Sequence, residues 1–279
     1  MSYRAGTRLY RVVIYVFLIV LLLICVIPLW ILIVNATRTT SQIQSALSLI
    51  PGTNLISNYN SLMGKGINIF QGFINSCIIS VSSTILCVYF SMMTAYAITV
   101  YNFKLKKAMY VLVVLLVMVP AQISVTGIYQ YMATLHLLNS YVPLIIPAIA
   151  SAGTVFFGAQ YFKTAIIPEV VEAARIDGCS EFGIFNRVIM PIAVPGAFTM
   201  GIFAFVASWN NLLIPFTLLS KNSLYTLPMV VNTLKGNVYS RDYGAIYFGM
   251  AITVVPIIIV YLIFSKYIIS GISLGSVKE

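Results

Sequence analysis

The stretch from Ala108 to Phe162 runs for 55 residues without an Asp, Glu, Lys or Arg. Four more such stretches cover residues 12–37, 66–103, 188–220 and 243–265. An ordinary globular domain carries roughly 25% charged residues, whereas this chain carries 8% against 60% hydrophobic residues. So much apolar surface has to face lipid tails. One helical crossing needs roughly 20 apolar residues, so the 55-residue run must hold two. The polar break at Thr134–His136 and Asn139–Tyr141 is where it turns. Six spans follow, at about 12–34, 70–100, 108–130, 142–162, 192–218 and 244–265. The runs are continuously apolar rather than alternating, which predicts helices and not a barrel. The first is too long for a signal-peptide core and no small-residue cleavage site follows it, so a retained span is expected.

The basic residues orient these spans. With the N-terminus in the cytoplasm, eleven lie inside: Arg4, Arg8, Arg11, Lys104, Lys106, Lys107, Lys163, Arg175, Arg187, Lys266 and Lys278. Five lie outside: Arg38, Lys65, Lys221, Lys235 and Arg241. That excess predicts both termini in the cytoplasm. The net charge of +10 is then a topology signal, and no clustered basic face with stacking aromatics suggests nucleic acid. Cys25, Cys77, Cys87 and Cys179 have no metal-site spacing and read as small apolar filler. His136 is the only histidine, too few for a metal site, and no nucleophile–base set can be assembled at membrane depth. Most tyrosines read as interfacial anchors. Pro28, Pro120, Pro147 and Pro256 fall inside spans, where kinks are expected.

Four of the six acidic residues, Glu169, Glu172, Asp177 and Glu181, fall within 13 positions, in the loop between spans four and five. No acidic residue lies in the middle of a span, where an ion-coupled carrier usually keeps one. Energy for uphill transport would therefore enter from outside the membrane domain. The loop reads as two short helices. Pro168 suits a first helical position, and Glu169 and Glu172 fall in a first turn where carboxylates favour the dipole. Gly178 can end that helix in the left-handed conformation. Ser180 can cap a second helix that runs toward Met190 and stops before Pro191. On charge pattern alone this is either a solvated connector or a projection that fits a partner's groove.

Read as a motif, Glu172-Ala173-Ala174, three residues, Gly178, nine residues, then Val188-Ile189-Met190-Pro191 resembles the EAA loop of bacterial ABC-importer permeases. Val188 and Met190 replace the usual Ile and Leu. Other segments resemble the carbohydrate branch, and especially its maltose-type second permease subunits. These are Phe73-Ile74-Asn75-Ser76, Leu135–Tyr141, Ser208-Trp209-Asn210-Asn211 with Pro215 and Thr226-Leu227-Pro228, Asp242-Tyr243-Gly244 and the tail from Gly271 to Glu279. The resemblance implies an all-α membrane protein with the type I importer fold, a five-helix core plus an N-terminal helix wrapped on a neighbour. It divides the chain into a cytoplasmic N-terminus (1–11), a first helix (12–34), an extracytoplasmic loop (35–69), a core domain (70–265) with its EAA loop at 164–191, and a cytoplasmic tail (266–279).

It further implies that Glu172, Ala173, Ala174, Asp177, Gly178 and Pro191 belong to a coupling element docked on a cytoplasmic ATPase. Glu172 would contact that ATPase and Gly178 would form the turn. The implied partners are a second homologous permease, a dimer of ABC ATPases, an extracellular solute-binding protein facing the loop at about 219–242, the lipid bilayer of a bacterial inner membrane and a carbohydrate. ATP and magnesium would sit on the ATPase, because this chain has no GxxxxGK[ST] phosphate loop and Gly64-Lys65-Gly66 is too short for one. It would be a permease, not an enzyme. Asn75, Trp209, Asn210 and Asn211 are candidates to line the pathway, since sugar sites combine aromatic faces with amides. Interhelical packing is the alternative for each, and for Ser76. A permease for a non-sugar solute and an ion-coupled carrier are the competing functions.

Overall fold

The computed structural model describes residues 2–64, 68–234 and 241–276. Expectations placed on Lys65, Lys235 and residues 277–279, and on the middle of the 219–242 loop, lie outside the described residues. Every regular element described is helical. The order begins with α1 (Ser2–Ala36), α2 (Thr40–Ser45), α3 (Leu55–Gly64) and α4 (Ile69–Val100). It continues with α5 (Lys106–Val117), α6 (Val125–Thr134), α7 (Val142–Ile145) and α8 (Ala152–Ala165). The short helices α9 (Pro168–Ile176), α10 (Glu181–Ile184) and α11 (Met190–Ile192) then lead into α12 (Val194–Trp209) and α13 (Leu213–Leu218). The last are α14 (Leu227–Thr233) and α15 (Tyr243–Ser276).

Four helical stretches are long and apolar enough to cross a membrane: Tyr10–Ala36, Ile69–Val100, Val142–Ala165 and Tyr243–Tyr267. Two more qualify as bent pairs, Lys106–Val117 with Gln122–Thr134 at 84° and Glu181–Ile192 with Val194–Trp209 at 82°. The expected third span is therefore not one rod. Pro120 has no N–H to give and disfavours a helical residue before it, and its own backbone is extended at φ −64° and ψ 124°. The expected fifth span breaks at Asn210–Leu212, between α12 and α13. Pro147 sits in a short 3₁₀ stretch, Ile146–Ala150. By contrast α1 and α15 run through Pro28 and Pro256 unbroken, as membrane helices do when neighbouring groups satisfy the freed carbonyl. α15 also exceeds its expected length, continuing to Ser276.

The chain divides into two compact units, Met1–Ile69 with Val231–Val255, and Phe70–Val230 with Pro256–Glu279. In the first unit residues 10–30 of α1 leave their apolar side chains outside, with Phe17 65% and Ile24 62% exposed, while Val34 and Ala36 are buried. Polar pins hold the segment after it. Asn58 Nδ2 donates to the carbonyls of Ala36 (2.8 Å) and Arg38 (3.0 Å). The Arg38 guanidinium donates to Gln42 O at 2.8 Å and Ala46 O at 3.0 Å. Asp242 Oδ1 accepts from Ala245 N at 3.0 Å, capping α15, and from Thr40 Oγ1 at 3.2 Å.

The second unit is centred on Met92, Tyr96, Phe162, Phe185, Ile189 and Met200, all buried. A Cβ added at Gly158 of α8 would come within 2.9 Å of Ala95 Cβ on α4. Its absence is what lets the two backbones approach, the usual device where lipid removes the hydrophobic drive for helix pairing. Hydroxyls on α4 turn back to their own helix, Thr94 Oγ1 to Phe90 O (2.9 Å) and Thr99 Oγ1 to Ala95 O (2.7 Å). That satisfies groups lipid cannot.

Candidate functional site: a helix pair and a cavity in the second unit

The acidic loop folds as two short helices. Pro168 occupies the first turn of α9, where its missing N–H needs no partner. Glu169 lies in that first turn, while Glu172, expected there as well, falls one turn further on. Val171 (1% exposed) and Ala174 (8%) point inward onto the cluster of Tyr96, Phe162 and Phe185. Glu172, Ala173 and Ile176 point outward, Ile176 at 86% exposure. The Glu-Ala-Ala triplet thus splits. Glu172 and Ala173 belong to an open face shared with Glu169 and Ile176 at helical spacing, whereas Ala174 anchors the helix from behind.

The turn after α9 closes as a Schellman motif. Gly178 adopts φ +79°, Gly178 N donates to Arg175 O (3.0 Å) and Cys179 N to Ala174 O (3.1 Å). Asp177 is the exposed C-cap residue. Ser180 Oγ accepts from Gly183 N at 3.2 Å and starts α10 at once. The stop expected before Pro191 does not occur. The second helix passes through a π-helical stretch, Phe185–Ile189, into α11, and Pro191 lies inside α11's first turn. Pro191 has no N–H to give to this continuous run, and the wider π turn before it accompanies the burial of Ile184, Phe185 and Ile189 together.

A charged clasp joins the two helices. Arg175 Nε donates to Glu181 Oε1 at 2.7 Å, and Arg175 Nη2 to Oε2 at 3.3 Å. Tyr101 OH, from the end of α4, donates to the same Oε2 at 2.5 Å. Arg175 also lies over the Tyr101 ring, 5.7 Å from its centroid. The Arg175 bond, then the Tyr101 bond, hold the Glu181 carboxyl below its ordinary range. Burial, and then Glu181, push the Tyr101 phenol up. Tyr89 OH adds a second tie, donating to Asn186 Oδ1 at 3.0 Å. The sequence reading named Glu181 in the acidic cluster and Arg175 among the inside charges but did not pair them. The signal was there, opposite charges flanking an Asp-Gly turn.

Deeper in this unit lies a cavity of about 1050 Å³. Ser76, Ser80, Ser83 and Cys87 line it from one face of α4, Ser151 and Thr154 from the start of α8, and Ser208 and Asn211 from the end of α12. Among the described residues no charged side chain is on its wall. The hydroxyls are paired into short chains. Ser83 Oγ meets Ser208 Oγ at 3.0 Å, Ser151 Oγ meets Thr154 Oγ1 at 2.8 Å, and Thr154 Oγ1 meets Cys87 Sγ at 3.4 Å.

Of the four pathway candidates, only Asn211 reaches this wall. Its Oδ1 also accepts from Ile214 N at 3.3 Å. Asn75 is 1% exposed and acts as a brace, donating to the carbonyls of Ser223 and Tyr225 at 2.9 Å each and accepting from Gln71 at 2.8 Å. Trp209 is 1% exposed, edge-on to Phe73 at 5.8 Å and stacked on Phe205 at 5.6 Å, so its ring is spent on packing. Asn210 is exposed in the break after α12 and off the cavity wall. Ser76 does both jobs, lining the cavity and accepting from Leu227 N at 2.8 Å. Ser80, Ser83, Ser151 and Thr154 escaped the sequence reading. Small polar residues at 76, 80, 83 and 87, one helical face within an apolar span, were the available signal. The Leu135–Tyr141 loop is pinned from the other side: Asn139, at φ +56°, accepts on Oδ1 from Ser220 N (2.6 Å) and Lys221 N (3.1 Å).

This arrangement has known counterparts. Residues 87–274 match the family described as binding-protein-dependent transport system inner membrane component. The arabinooligosaccharides transport system permease protein AraQ of Bacillus subtilis (strain 168) is 33% identical over 272 residues, 96% of this chain and 96% of that protein. The multiple sugar-binding transport system permease protein MsmG of Streptococcus mutans is 32% identical over 269 residues, covering 95% and 96%. The sn-glycerol-3-phosphate transport system permease protein UgpE of Escherichia coli O1:K1 / APEC is 27% identical over 255 residues, covering 88% and 89%. In fold, the chain matches a chain in the crystal structure of a bacterial ABC transporter involved in the import of the acidic polysaccharide alginate, with a TM-score of 0.79 at 18% identity, over 96% of this chain and 99% of that one. With the family match spanning most of its length and relatives above 30% identity along nearly all of it, this all-α, multi-pass membrane chain belongs to the binding-protein-dependent transport system inner membrane component family, as a permease subunit and not an enzyme.

Proposed function

We propose that this chain forms half of the pathway by which an ATP-binding-cassette importer takes up a carbohydrate, an uncharged sugar or oligosaccharide. The observation that carries the substrate reading is the cavity wall, largely apolar, set with hydroxyls and, among the described residues, without a charged side chain. A neutral saccharide exchanges hydrogen bonds with water for hydrogen bonds with such a wall, while an anion would be left without a counter-charge. The AraQ and MsmG likenesses agree with it.

A second homologous permease completes the pathway. An extracellular binding protein delivers the sugar, and a dimer of cytoplasmic ATPases holds ATP and magnesium. The open face of α9, with Glu169, Glu172, Ala173 and Ile176, is the docking face for one ATPase, with Asp177, Gly178 and Pro191 shaping the loop behind it. Both termini face the cytoplasm of a bacterial cell, and the core domain extends over 70–265.

The test is uptake by the assembled complex in proteoliposomes. Saccharide accumulation that requires ATP, and that Glu172→Ala or Gly178→Asp abolishes while the chain still inserts, supports the reading. Uptake that follows an ion gradient and ignores ATP, or full uptake in both variants, overturns it.

A further inference from the structure

A second cavity, of about 420 Å³, lies at the same end of the second unit as the α9 helix pair. Lys104, Lys106, Lys107 and Lys163 line it together with Tyr110 and Phe103. Four ammonium groups around one concavity repel one another, and among the described residues no carboxylate is on its wall. The ion pair found among the described residues, Arg175–Glu181, involves none of them. Two of the lysines are held by neutral groups: Lys106 Nζ donates to Thr99 O at 2.9 Å, and Lys163 Nζ sits 4.8 Å over the Tyr110 ring. Gln160 steadies that ring through its hydroxyl at 2.6 Å. Lys104 and Lys107 are exposed.

Two further features point the same way. α5 begins at this pocket, its N-cap residue Leu105 makes no side-chain cap and no acidic residue stands in its first turn. The positive end of the helix therefore adds to the lysines. Beside the lysines, Phe103 (39%), Met109 (42%) and Leu105 (66%) expose apolar surface. A basic pocket with apolar flanks at a helix end in a membrane protein has the chemistry of a site for a charged headgroup attached to acyl chains.

We propose that this pocket binds the phosphodiester headgroup of an anionic phospholipid, with Lys104, Lys107 and Lys163 on the phosphate and Phe103, Leu105 and Met109 against the first part of the acyl chains. Lys106, tied to Thr99 O, closes the pocket floor. A free phosphate shares the headgroup's charge but leaves the apolar flanks unused, so the lipid is the source favoured. The inference needs only a membrane setting and stands whether or not the transported solute is a sugar.

The test uses the full chain in its complex, in micelles of phosphatidylcholine with added phosphatidylglycerol, and counts retained phosphatidylglycerol by native mass spectrometry. Each lysine near an anionic headgroup is worth roughly fivefold in affinity. The expected result is saturable binding that falls about fivefold in Lys107→Gln and well over tenfold in Lys104→Gln/Lys107→Gln/Lys163→Gln. Arginine at the same three positions should restore it. Lys266→Gln, which removes a cation held over Tyr267 and outside the pocket, should leave it unchanged. Equal retention by the triple-glutamine variant overturns the site. Equal loss in Lys266→Gln reduces it to general surface charge. Displacement by inorganic phosphate alone overturns the lipid as its ligand.

Discussion

At Gly178 the chain reverses between α9 and α10, and the reversal needs φ +79°. A side chain there costs roughly 1–2 kcal/mol in backbone strain, although nothing crowds the space around it. Gly178→Ala should therefore lower the unfolding midpoint only slightly but reduce uptake, because the angle between α9 and α10 changes. An unaltered uptake rate would show that the turn geometry does not matter. Glu181 makes a second residue-scale prediction. Its folded-state pKa lies below the ordinary glutamate value because of Arg175 and Tyr101. A group depressed in this way stabilises fully above its unfolded pKa, and the contribution is lost as pH falls through the folded value. The difference in unfolding midpoint between wild type and Glu181→Gln should be present at neutral pH and vanish on acidification through that range. Both residues are largely solvated, so the difference should be small.

Among the elements, α4 and α8 carry the most. Their backbones meet at Gly158, and Gly158→Leu would force them apart at an overpacking cost of roughly 1–3 kcal/mol. Thermal denaturation in detergent should show a lowered midpoint, with Gly64→Leu, which has open space around it, as the unaffected comparison. The hydroxyl face of α4 makes a functional prediction. Ser83→Val removes the bond to Ser208 and puts a methyl pair on the cavity wall. A wall hydroxyl that bonds the saccharide is worth about 0.5–1.5 kcal/mol, so KM for saccharide uptake should rise about two- to tenfold while basal ATP hydrolysis holds. These elements also mark where the sequence was legible. The charge-free runs set the rough place of the apolar helices, four long ones and two bent pairs, because lipid excludes charge whatever the tertiary packing. Gly178 and Ser180 could be read in place, because a left-handed turn and a cap are local needs. Asn75 and Trp209 could not. A buried brace and a pathway residue have the same composition, and only the contacts with Ser223, Tyr225, Phe73 and Phe205 separate them.

At the scale of the whole molecule, the distribution of charge is the organising fact. Four of the six acidic residues gather in one loop, the main cavity has a wall without charged side chains among the described residues, and a basic pocket lies at the end that carries the loop. This distribution fits a neutral solute and force entering at one end, and no Asp or Glu lies in the middle of the apolar runs, where an ion-coupled carrier usually keeps one. The cavity itself was beyond the sequence, since it exists only where faces of α4, α8 and α12 meet across more than a hundred residues of chain. The direct test is ATP hydrolysis by the reconstituted complex, with its partner permease, ATPase and loaded binding protein, across a panel of neutral and acidic saccharides and glycerol phosphate. A neutral-sugar importer driven through the α9–α10 turn is stimulated by at least one neutral saccharide and loses that stimulation in Gly178→Asp. Stimulation by the acidic compounds alone, or the same stimulated rate in Gly178→Asp as in wild type, would contradict this mechanism.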